Sequence, residues 1–112
     1  MVEIALFREW ALSLPGVDEQ PHFHMASFRA NKKIFSTLRE EEKRAMLKLS
    51  LVSQSVYCSY DVTVFSPVPG GWGAKGATLV DLRTVPPDIC KEALITAYEE
   101  VTAKKPGKAK KR

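Results

Sequence analysis

The sequence predicts an α+β domain, an antiparallel sheet of about five strands with helices packed on it. The apolar pattern switches from a helical to a two-residue period after Pro15-Gly16, and the strand-like segments that follow are joined by short polar turns. Neither an internal repeat nor the strand-helix alternation of a parallel sheet is present. At 112 residues, 45% hydrophobic and 27% charged, the chain has the size and composition of one globular domain with a single core.

A helix is expected from Val2 to Leu14, because Ile4, Phe7, Trp10, Ala11 and Leu14 recur on one face. Pro15 and Gly16 end it. Three antiparallel strands follow at about 22–30, 33–39 and 44–49, with joints at Ala30-Asn31-Lys32 and Glu40-Glu41-Glu42-Lys43. Asn31 suits the left-handed backbone of a tight hairpin. Ala45, Leu47 and Leu49 share one strand face and Arg44, Met46 and Lys48 the other, so one face packs inward and the other stays partly wet.

Ser50 is a suitable N-cap for a helix reaching about Ser59, with Leu51, Val52, Val56 and Tyr57 apolar and Gln54 and Ser55 polar, although Val52, Val56 and Tyr57 also suit a strand. Val62–Phe65 then reads as a strand, residues 67–76 as a Pro/Gly-rich connection, and Ala77–Arg83 as the antiparallel partner, giving a hairpin with a long tip. Pro87 opens the last helix, whose stripe of Cys90, Leu94, Ala97, Tyr98 and Val101 faces the core. Cys90 is expected to be a core residue.

Charge divides the chain into a domain at 1–103 and a basic tail at 104–112. The tail holds six basic residues and no acid, which leaves 11 basic against 13 acidic residues in the domain. Such a tail cannot bury enough apolar surface to offset its ordering entropy, so it is expected to be disordered, as a solubilising end or as a phosphate tether. Two cysteines without a CxxC unit fit a reducing compartment, and a cytoplasmic location is expected. The apolar run Ile4-Ala5-Leu6-Phe7 is too short for a signal core or a membrane span, so no membrane partner is expected. The chain is expected to be a monomer.

Gly71-Trp72-Gly73-Ala74-Lys75-Gly76 satisfies GxGxxG. A dinucleotide fingerprint needs a helix immediately after it, and Ala77–Leu82 reads as a strand, so that reading is rejected. A P-loop fails too, because no GK[ST] is formed. The loop is better read as a flexible, open hairpin tip carrying Trp72 and Lys75. Burial as a cap on the sheet is the ordinary fate of a tryptophan, and stacking on a base is the functional alternative.

His22 and His24 would point to the same side of one strand, where Asp18, Glu19 or Cys58 could complete a metal site; paired surface histidines are the commoner outcome. Glu40–Glu42 is expected to face solvent. No nucleophile elbow is present, and no catalytic residue, metal ligand or cofactor is assigned.

Leu14-Pro15-Gly16-Val17-Asp18-Glu19, Ser27-Phe28-Arg29 with Lys33-Ile34-Phe35, and Pro67-Val68-Pro69-Gly70-Gly71-Trp72-Gly73 before Thr78-Leu79-Val80-Asp81-Leu82 resemble the MmcQ/YjbR family in order and spacing. The similarity spans about residues 1–103. The resemblance implies a CyaY-like α+β architecture with a double-wing DNA-binding motif, in small bacterial cytosolic proteins without catalytic activity. The chain departs from the pattern at Ala77, where relatives often carry Trp, and at Pro86, where the cap is often acidic. Carried over by position, the double wing would set Gly70, Gly71, Trp72, Gly73 and Lys75, together with Arg29, Lys32 and Lys33, against duplex DNA. The leading expectation is therefore a non-enzymatic DNA-binding protein. The alternative is a small-molecule or protein-binding adaptor using the Trp72 loop as one wall of a pocket.

Overall fold

The computed structural model describes residues 1–103, so the expectation of a disordered tail at 104–112 lies outside the described residues. Four helices and six strands follow in the order α1 (Ile4–Ser13), β1 (Asp18–His22), β2 (Met25–Ala30), β3 (Lys33–Arg39), β4 (Arg44–Lys48), α2 (Leu51–Tyr60), β5 (Phe65–Pro67), α3 (Gly71–Ala74), β6 (Ala77–Asp81) and α4 (Pro87–Thr102). All pairings are antiparallel, in the sheet order β1-β2-β3-β4-β6-β5. The α+β class is as expected, with six strands rather than about five.

The extra strand is β1. Asp-Glu-Gln-Pro-His is exposed at its first four positions and offers no apolar alternation. It is a strand because it pairs with β2, from Asp18 opposite Arg29 to His22 opposite Met25. The single strand expected at 22–30 is thus a hairpin broken at Phe23-His24. The strand expected at 62–65 starts three residues later, at Phe65. The Asp61 carboxylate accepts from the Thr63 amide at 2.9 Å and its hydroxyl at 2.7 Å, and the Val64 amide donates to the Asp61 carbonyl, which holds 61–64 as a turn.

One sheet face carries the core, and an aromatic pair seats each longer helix on it. Phe7 of α1 meets Phe28 of β2 at 6.3 Å between centroids, Tyr98 of α4 meets Phe35 of β3 at 5.6 Å, and Tyr57 of α2 meets Phe65 of β5 at 5.2 Å. The four phenylalanines are fully buried, each contributing about 1.5–3 kcal/mol of transfer free energy. The α4 stripe turns inward as its spacing predicts, with Cys90, Leu94 and Ala97 buried.

Helix α2 departs from its pattern. Ser50 caps it as expected, accepting from the Ser53 amide at 3.1 Å. The polar Gln54 is buried, whereas Leu51, Val52 and Val56 face outward.

Gly76 fixes the junction of β6 with β4. The Leu49 amide donates to the Gly76 carbonyl at 3.2 Å, and a Cβ on Gly76 would lie 1.8 Å from the Leu49 oxygen, at φ +112°. Gly76→Ala is therefore expected to cost about 2 kcal/mol or more, a fall in Tm of roughly 10 °C, whereas the open Gly71→Ala leaves the melt within a few degrees. Thermal unfolding by circular dichroism checks this pair. The Cys90 thiol is fully buried and desolvation pushes its pKa up to about 12. In native protein at pH 8 a thiol-reactive aromatic disulfide should leave Cys90 unmodified and react with it on unfolding in guanidinium; rapid native labelling of Cys90 contradicts this burial.

Candidate functional site

The two loops singled out by the sequence rise from the same end of the sheet. Ala30 pairs with Lys33 at the β2–β3 turn, Ser36 with Leu47 and Lys48 with Ala77, so the start of β3, the end of β4 and the start of β6 lie together. In the first loop Asn31 and Lys32 take φ of +54° and +66°, the left-handed pair of a two-residue hairpin whose twist matches its strands. Lys32 and Lys33 are exposed there.

The second loop is pinned by its backbone rather than open. Gly70, at φ +87°, precedes the single helical turn of α3, and the Ala74 amide returns to the Gly70 carbonyl at 3.3 Å. Gly73 is buried, and a Cβ there would meet the Val68 oxygen at 1.8 Å. Gln54 completes the arrangement, its Nε2 donating to the carbonyls of Gly73 at 2.9 Å and Ala77 at 3.1 Å. Of the expected tip residues, Gly70, Gly71, Trp72 and Lys75 are exposed and Gly73 is not. Trp72 is 71% exposed, so it is not the buried cap that tryptophan usually makes. The rejection of a dinucleotide site stands, because β6 follows this loop.

Cations gather at the loop end of the sheet. At the loop end lie Arg29, Lys32, Lys33, Lys48 and Lys75. Two of the carboxylates there are engaged, Asp18 lying 3.9 Å from the Arg29 guanidinium and Glu100 accepting from the Ser50 amide at 2.7 Å and the Ser53 hydroxyl at 2.6 Å, whereas Glu99 of α4 is exposed. Arg29 therefore shares its charge with the neighbouring strand. The Glu100 contacts also bring the last turn of α4 to this end. Glu40, Glu41 and Glu42 occupy the β3–β4 turn at the opposite end, where Glu40 and Glu19 bind Arg8.

His22 and His24 do not share a strand face. His22 ends β1 and stacks edge-on against Phe23, whereas His24 lies in the turn. Among the described residues no group of three or more His, Cys, Asp or Glu could hold a metal ion. No helix is long and apolar enough to cross a membrane among the described residues.

Sequence reasoning missed two contributors. Gln54 gave no signal, because its partners lie about twenty positions away in the chain. Phe23 is 87% exposed at φ +60°, a turn position where glycine is the usual residue, and such strain in a bulky residue costs about 1–3 kcal/mol.

The architecture, a helix-backed antiparallel sheet, is shared with a solved protein. The crystal structure of Deinococcus radiodurans protein DR2400, with domain DUF419, matches with a TM-score of 0.81 at 20% identity, covering 93% of this chain and 81% of that one. At that identity the likeness establishes the fold. No family model matches the sequence, and neither does any curated protein.

Gln54→Leu keeps the bulk and removes one donor from each of two loop carbonyls, which retain the Gly76 amide on Gly73 at 3.0 Å and the Val68 amide on Ala77 at 2.9 Å. It is expected to destabilise the fold by about 1–2 kcal/mol in a urea melt, the net worth of two hydrogen bonds, with the Trp72 emission changing before the global transition. A variant as stable as wild type would show that the backbone donors alone hold the loop.

Proposed function

We propose that this protein binds duplex DNA without catalysing a reaction on it, using two β-hairpin wings as the resemblance to the MmcQ/YjbR family implies. The carrying observation is that both loops rise from one end of the sheet, with several cations exposed there and Asp18 and Glu100 already engaged. Lys32, Lys33 and Lys75 are suited to phosphates, with Arg29 reaching one only as it leaves Asp18. The glycine-rich turn offers a close backbone approach, and the exposed Trp72 indole offers a face for stacking or a wedge between base steps. The basic run after Ala103 adds nonspecific affinity. A cytoplasmic, monomeric protein of bacterial type is the setting in which this reading belongs.

A salt titration of duplex binding, comparing the full chain with one ending at Ala103, tests the reading. The shortened chain should still bind. Lys32→Ala/Lys33→Ala should weaken it and make the log-log salt slope shallower by about 2, one phosphate contact per lysine. Trp72→Ala should weaken binding without changing that slope. Binding that exists only with residues 104–112, with a slope no steeper than about −5 for their six charges, overturns recognition by the wings.

A further inference from the structure

The sheet face opposite the core is not covered by a helix. Thr37, Met46 and Leu79 lie in one cross-strand row on it, and Lys48 pairs beside them with Ala77. A cleft of about 350 Å³ opens over this face, floored by Ile34, Thr37 and Met46 and bordered by Phe23 at one end and Trp72 at the other. That volume is at the small end of those that hold small molecules. Two large aromatic side chains left in solvent at the two borders of one apolar floor are a costly arrangement for a surface with no occupant.

The charge lining is of one sign. Lys48 and Arg39 contribute to the cleft, and no carboxylate lines it among the described residues. Arg39 is partly neutralised by Glu42 at 3.7 Å, while Lys48 has no carboxylate partner among the described residues and donates only to the Lys75 carbonyl at 3.4 Å. The neighbouring trough of about 650 Å³ is lined by Glu40, Glu41 and Glu42 and would repel an anion.

We infer that the Phe23–Trp72 cleft is a binding site for a small planar aromatic anion, its ring lying on Ile34 and Met46 against Trp72 and its anionic group on Lys48. An aromatic carboxylate free in solution has the size, flatness and charge that this lining complements. The inference does not rest on the DNA reading, since it uses the open face rather than the wing lysines.

Fluorescence anisotropy of 2-naphthoate against the full-length protein, with 2-naphthalenemethanol as the uncharged counterpart, tests it. The acid is expected to saturate one site below about 1 mM and to bind about tenfold more tightly than the alcohol. Lys48→Gln should remove most of that difference, and Trp72→Ala and Phe23→Ser should each weaken both probes about fivefold. Phe23 is exposed, so its replacement does not disturb the core. Lys32→Ala/Lys33→Ala should leave naphthoate binding unchanged while weakening duplex binding, which separates the two sites. Failure to saturate, equal affinity for acid and alcohol, or indifference to Trp72→Ala and Phe23→Ser overturns the inference. Displacement of the probe by a short oligothymidylate that binds the cleft more tightly overturns it in favour of a single-strand surface.

Discussion

The close backbone contact between Gly76 and Leu49 is the constraint on which the loop end of this molecule depends. It brings the start of β6 down onto the end of β4, at a separation that no side chain at Gly76 would permit. Gly73 makes a second approach of the same kind on Val68, and Gln54 adds a second donor to the Gly73 and Ala77 carbonyls, which already accept the Gly76 and Val68 amides. Because glycines and backbone bonds hold the loop, Trp72 and Lys75 are not needed to stabilise it. Their side chains are left to face outward, which a loop held by side-chain packing would not allow.

The three aromatic pairs under α1, α4 and α2 set what remains accessible. All lie on one side of the sheet, so a single layer of helices suffices to bury the phenylalanines of β2, β3 and β5. The other side keeps Met46, Ile34 and Lys48 near solvent. Lysines gather at the loop end at the same time, while Glu40–Glu42 at the β3–β4 turn are interleaved with Arg39, Lys43 and Arg44. A domain with more acidic than basic residues thereby presents a cationic end.

What the sequence revealed was whatever burial writes into local periodicity. The stripes of α1 and α4, the alternation of β4 and the turn at Asn31 are all local patterns, and the structure has each of them, whereas β3 buries Phe35 to Leu38 in succession. Strand β1 is held by hydrogen bonds on an exposed edge, so no apolar period marks it. Gln54 inverts the expected polarity of α2 because its amide partners belong to a loop brought close only by the tertiary fold. Lys32, Lys33 and Trp72 are exposed, while the Asp18–Arg29 ion pair follows from a register that spacing alone does not reveal. The alternation of Arg44, Met46 and Lys48 did mark a partly wet face, but not the aromatic borders that turn it into a cleft.

The two outer strands have a consequence of their own. β1 carries Asp18, Glu19 and Pro21 on its exposed length, and β5 is three residues long and ends in Pro67. Proline withholds an amide from any added neighbour, and carboxylates discourage a flat apolar ladder. Neither margin of the sheet is thus a template for another chain, whether a peptide extending it or a second molecule joining edge to edge. Association has to come end-on at the loops or flat against the uncovered face, where side chains rather than main-chain bonds decide what is accepted.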